Sequence, residues 1–184
     1  MQSMLYITLL IILGGLVLLV ILAYNKLVSL RNQTENAWHQ IDVQLKRRHD
    51  LIPNLVNTVK GYMKHEQSTL KTLTELRSNL VKGDINSKAR ANDQFSNILK
   101  SIFAVAENYP KLQASRNFLN LQEELSATEN KISYSRQFYN DAVYNLNTTI
   151  ESFPTNIIAG IFKFSKKLYF GVEESEKRLV KVEF

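Results

Sequence analysis

The sequence predicts an all-α protein: an N-terminal transmembrane helix continuing into a cytoplasmic antiparallel four-helix up-and-down bundle. Three observations carry that expectation. Met4 to Tyr24, "MLYITLLIILGGLVLLVILAY", is 21 residues without a charge. Between Ser115 and Phe153, large side chains recur at every seventh position. Only six glycines and three prolines occur in 184 residues, too few for an all-β or linker-rich chain. The matching division is residues 1–25 as transmembrane anchor and 26–184 as helical bundle domain, closed by an amphipathic segment at 154–184.

At 1.5 Å per residue the charge-free stretch reaches roughly 30 Å, the hydrocarbon thickness of a bilayer. A cleaved signal peptide fits poorly. No Lys or Arg precedes the run, the run is too long, and no small-x-small cleavage pattern follows. Lys26 and Arg31 follow directly, so the positive-inside rule puts a two- or three-residue N-terminus outside and the bulk of the chain in the cytoplasm. Gly14-Gly15 lacks GxxxG spacing and reads as tolerated rather than as a docking face.

Beyond the anchor, Leu27, Leu30, Thr34, Ala37 and Ile41 continue one helical face. Helix one, Lys26 to Lys60, is expected to reverse near Gly61 to Gln67. Should it instead run on to Val81, three helices would replace four. Pro53 deletes an amide and presses its ring on the preceding turn, so it predicts a kink, or a restart capped by Asp50. The next helix, Gln67 to Val81, buries Leu70, Leu73, Leu76 and Leu80, and the turn "KGDINS" closes it. Lys88 to Asn108 buries Phe95, Ile98, Leu99, Ile102 and Val105, stopping at Tyr109-Pro110.

The last long helix alternates two columns. Phe118, Leu125, Ile132, Tyr139, Leu146 and Phe153 are large, whereas Leu121, Thr128, Ser135, Ala142 and Thr149 are small after the first. That near-heptad pattern predicts coiled-coil-like packing along the whole helix, which Pro154 ends.

Charge and composition exclude several classes of function. Without cysteine there are no disulfides, thiolate zinc sites, thiol nucleophiles or lipoprotein-type cysteine anchors. The net charge of +6 is uneven: +5 over residues 26–82, −1 over 83–152 and +2 over 153–184. The near-neutral middle argues against nucleic acid, which would call for one continuous basic stripe. His39, His49 and His65 share no face or metal-ligand spacing, so no metal or cofactor is expected. Acids at Glu123, Glu124 and Glu129, and at Glu173, Glu174 and Glu176, read as solvated faces. No glycine-rich phosphate loop, GxSxG or Glu-x-x-His pair is present, and no small-molecule substrate is evident.

Two stretches stand out as surfaces. Lys46, Arg47, Arg48 and His49 are consecutive, with Pro53 and Asn54 close behind. Four such residues cover more than half the helix circumference, so some must turn inward, and a buried Arg requires a paired acid. Arg47 stands roughly 30 Å beyond the membrane on a straight helix, past a screening length of about 10 Å. These six residues are therefore expected to meet an acidic protein partner rather than lipid, an ordinary solvated helix face being the rival expectation. The second stretch, "NIIAGIFKFSKKLYF", mixes apolar and basic residues. Ile158, Phe162, Lys163, Phe164, Lys166 and Lys167 are its candidate membrane-surface contacts; covering the open end of the bundle is the rival expectation.

"YNKLVSLRNQTENAWHQIDVQLKRRHDLIPNLVNTVKGYMKHE", Tyr24 to Glu66, resembles the LemA family of bacterial membrane-anchored helical bundle proteins. That family's hallmark is an "ENAW-QIDVQLKRR-DLIPNLV-TVKGY" segment behind a membrane helix. A second block, Tyr109 to Phe162, agrees. The sequence departs at Phe162-Lys163-Phe164, where the family carries Phe-Gly-Phe. The resemblance implies a location in the bacterial inner membrane and an association with membrane proteases of the HtpX type. In one branch it implies a part in forming magnetosome membranes. It brings no catalytic residue or cofactor to carry over.

Taken together, these features predict a single-pass membrane scaffold or adaptor that self-assembles or binds another membrane protein. The alternative is an enzyme whose site assembles only in space.

Overall fold

The computed structural model describes residues 1–63 and 66–171. His65, the acids Glu173, Glu174 and Glu176, and positions 172–184 of the expected amphipathic segment lie outside the described residues. Every regular element described is helical: α1 (Gln2–Lys60), α2 (Gln67–Arg77), a 3-10 turn (Ser78–Leu80), α3 (Ile85–Ala106), α4 (Pro110–Gln113), α5 (Arg116–Glu151) and α6 (Thr155–Ile161).

Helix α1 begins as the charge-free stretch, which is long and apolar enough to cross a membrane and buries none of its side chains. It ends at Lys60, where the amides of Tyr62 and Met63 both bond to Val59 O at 2.9 Å. The chain therefore reverses here and does not run on to Val81.

Within α1 the helix passes straight through Pro53, so a restart capped by Asp50 is not what happens. The ring removes the amide that would have bonded the carbonyl of His49. Arg77 of α2 supplies a substitute donor, its Nε lying 3.2 Å from His49 O. Asp50 instead faces the Nδ1 of its neighbour His49, at 2.8 Å.

The later elements follow local signals. Asp84 caps α3 by accepting the Ser87 amide at 2.9 Å, and hydrogen bonding to the Ser87 side chain first, and to its amide second, holds the carboxyl below the usual range. Proline opens α4 at its first turn, where a missing amide costs nothing. Phe118, Leu125, Ile132, Tyr139 and Leu146 of α5 are buried, as the heptad predicts. Phe153 is not: it is 80% exposed, because α5 ends at Glu151 and the column runs past the last turn.

The chain divides into two compact units. The first comprises Met1–Ala37 with Asn140–Leu168. One core cluster in it is Leu27, Ile158 and Ala159, flanked by Val20, Ala23, Ile150 and Phe164. The second comprises Trp38–Tyr139 and, of the described residues, 169–171. Here α2, the 3-10 turn and α3 pack on one another, and α4 packs on α3.

Candidate interaction site

In the second unit, α1 presents the basic run in two directions. Lys46 and Arg47 point outward, Arg47 being half-exposed and 3.8 Å from Glu124 of α5. Asn54 is also exposed, while His49 and Pro53 are half-buried. Arg48 departs from the expected surface altogether, for its side chain is 0% exposed.

The reason lies in the periodicity of α1. Arg48 occupies the same seven-residue column as Leu27, Thr34, Ile41 and Leu55, all of them buried. Burying a guanidinium is costly unless its donors are met; two neighbouring helices supply partners for its terminal nitrogens, while Nε is buried without a hydrogen-bond partner among the described residues. Arg48 Nη1 donates to Asn92 Oδ1 and, at 3.2 Å, to Ser96 Oγ, both on α3. Nη2 pairs with Glu129 of α5, whose side chain is 44% exposed. Ser96 Oγ donates to the same carboxylate at 2.8–3.0 Å. The guanidinium plane also lies over the Phe95 ring, 5.0 Å from its centre. Burial lowers the Arg48 pKa to about 10 and the charge of Asp93 acts the other way, so the group remains a cation at neutral pH.

A second polar pair sits nearby. Lys88 is buried, bonds Asp42 of α1, and lies 5.4 Å from the centre of the Trp38 ring. Trp38 in turn meets Tyr139 at 5.6 Å and Phe170 at 6.0 Å between ring centres. Burial pushes the Tyr139 hydroxyl up to about 12. Lys88 and Asn92 continue the core spacing of Phe95, Leu99, Ile102 and Ala106, so α3 places two polar groups where its seam would otherwise be apolar.

As far as Leu168 the C-terminal stretch belongs to the first unit. Ile158 faces the core and is only 6% exposed, so it is not available to a membrane surface. Phe162 and Phe164 stack on Tyr24 at 4.7 and 5.9 Å, and Arg31 lies 5.6 Å above Phe164. Lys166 pairs with Glu151, and Lys167 lies 4.0 Å from Glu35. Lys163 occupies the glycine position of the family pattern and adopts φ 57°, a left-handed conformation. The turn survives without its glycine: Phe164 N–H bonds Ala159 O at 2.9 Å and Lys163 N–H bonds Gly160 O at 3.3 Å, the two bonds of a Schellman cap.

Among the described residues no cluster of three His, Asp or Glu is placed to hold a metal ion. Two open grooves of about 550 and 540 Å³ are lined mainly by apolar and amide side chains, with Lys100 and Glu107 in the first and Lys60 and Lys71 in the second.

Comparison with known proteins then places the chain. A LemA family profile matches residues 37–184. The chain belongs to the LemA family. Protein LemA of Metamycoplasma hominis is 28% identical over 155 residues, covering 83% of this chain and 71% of that protein. Magnetosome protein MamQ 2 of Paramagnetospirillum magneticum is 26% identical over 177 residues. Magnetosome protein MamQ of Magnetospirillum gryphiswaldense is 23% identical over the same length. Each magnetosome alignment covers 82% of this chain and 65% of the relative, so this LemA-family chain spans about two thirds of those proteins. The matched region includes the Arg48 cluster, Lys163 and the α5 heptads.

Proposed function

We propose that this LemA-family chain is a single-pass membrane scaffold or adaptor without catalytic activity. Residues 4–24 span the bacterial inner membrane with the N-terminus outside, and the bulk of the chain is cytoplasmic. The helices of the second unit form an antiparallel four-helix bundle, in which Arg48 joins α1, α3 and α5 and Arg77 joins α2 to α1. The LemA family match and the magnetosome-protein relatives support this reading.

The division of the basic run carries the proposal. Arg48 is held inward, which fixes the rotation of α1 and directs Lys46, Arg47 and Asn54 outward. These outward residues form the contact surface for a second copy or for another membrane protein, an HtpX-type protease being the partner the family resemblance suggests. Arg and amide groups around a half-buried proline suit an acidic surface.

The test is a photo-crosslinking residue placed at Lys46 and, separately, at Asn54 in the full chain in intact cells. Products at multiples of 21.2 kDa mean self-assembly. A discrete product of another mass, named by mass spectrometry, means an adaptor. No product at either position beyond that of a site inside the bundle core removes this surface from consideration.

A further inference from the structure

The α5–α6 corner exposes apolar side chains at the depth of the membrane-spanning stretch. The inward face of α6, Ile158 and Ala159, packs on Leu27 with Val20 and Ala23 beside them. Val20 and Ala23 lie inside the charge-free residues 4–24, so α6 sits alongside the last turn of that stretch, within about 6 Å of Tyr24 along the axis. Away from that face, Ile157 is 53% and Ile161 66% exposed, and Phe153 just before the helix is 80% exposed. From Ser152 to Phe162 the chain carries no charge, and Glu151, Lys163 and Lys166 flank it.

We infer that this corner is immersed in the lipid leaflet beside the end of the span, with its exposed apolar face toward acyl chains. The inference rests on reading residues 4–24 as the membrane anchor. Two further observations fit a lipid surroundings. Backbone amides in hydrocarbon must be bonded internally, and several at the ends of α6 are. Asn156 N–H bonds Ser152 O at 2.8 Å, Ile157 N–H bonds Pro154 O at 3.2 Å, and Phe162 N–H bonds Ile158 O at 3.0 Å. In addition, an apolar groove of about 410 Å³ runs between Gly15, Leu18, Leu19 and Leu22 on one side and Pro154 and Thr155 on the other. Lys26 belongs to its lining. A phospholipid acyl chain fills such a groove while the ammonium reaches the headgroup phosphate. Lys163, between the Phe162 and Phe164 that pack on Tyr24, follows α6 directly, where a basic residue at the interface is stable.

The absence of native cysteine makes the test direct. Single cysteines replace Leu18, Lys46, Ile157 and Ile161 in the full chain, each is labelled with a small fluorophore, and the protein is reconstituted into phosphatidylcholine–phosphatidylglycerol vesicles. Quenching by lipid-borne nitroxide is compared with quenching by aqueous iodide. Lipid quenching at Ile157 and Ile161 comparable to that at Leu18, with iodide quenching several-fold weaker than at Lys46, is the expected result. Lipid quenching at Leu18 with iodide quenching at Ile157 and Ile161 equal to that at Lys46 overturns the immersion and leaves the anchor standing. Failure of lipid quenching at Leu18 itself removes the anchor and the inference together. Shielding of Ile157 and Ile161 from both quenchers means that protein covers the corner, and it also overturns the lipid assignment.

Discussion

A guanidinium with no exposed surface, paired to a carboxylate that is nearly half-exposed, makes an asymmetric ion pair. Losing the acid strands a buried cation, whereas losing the cation returns the acid to water. Glu129→Ala is therefore expected to cost about 3 kcal/mol, and Arg48→Met less than about 1.5 kcal/mol. Thermal unfolding of the full chain in detergent, followed by circular dichroism, measures both; the opposite order would mean that Arg48 is solvated. Pro53 and Arg77 are coupled in a similar way. Arg77→Met is expected to cost about 1–2 kcal/mol in the natural chain and much less with Pro53→Ala, because alanine restores the amide that Arg77 replaces. Equal costs in the two backgrounds would show that Arg77 acts elsewhere. The inward turn of Arg48 was legible in its seven-residue column, but the basic run around it points to a surface. Its partners were not legible, since Asn92, Ser96 and Glu129 come together only when α3 and α5 pack on α1.

Among the elements, α6 shows most clearly where sequence pattern gives out. It has seven residues, shorter than the 11-residue window over which helical periodicity separates from chance. The large column of α5 is buried at five heptad positions, Phe118 to Leu146, as its pattern predicts, and fails only at Phe153, beyond the helix end. The same length argument explains why α4 was read only as a stop at Tyr109-Pro110. The cap of α6 gives a sharp prediction. A lysine at φ 57° pays the left-handed cost that glycine avoids, so Lys163→Gly is expected to stabilise the chain by about 1 kcal/mol. The gain appears as a higher Tm, and a lower Tm would mean that contacts of the lysine outweigh its backbone strain.

For the whole molecule, the proposed orientation makes a prediction that needs no knowledge of the partner. A cysteine at Lys46 should resist a membrane-impermeant maleimide in intact cells and react once the cells are permeabilised; reaction in intact cells would reverse the topology. The chain also carries a reporter of its own. Trp38 is its only tryptophan, held between the Lys88 ammonium, Tyr139 and Phe170. All the indole emission of this protein therefore comes from one place, where residues distant in the chain meet. Any event that lifts Phe170 away, or frees Lys88 from the ring, will change the colour and intensity of that light, so binding at a distance can be followed in a fluorimeter without attaching any label.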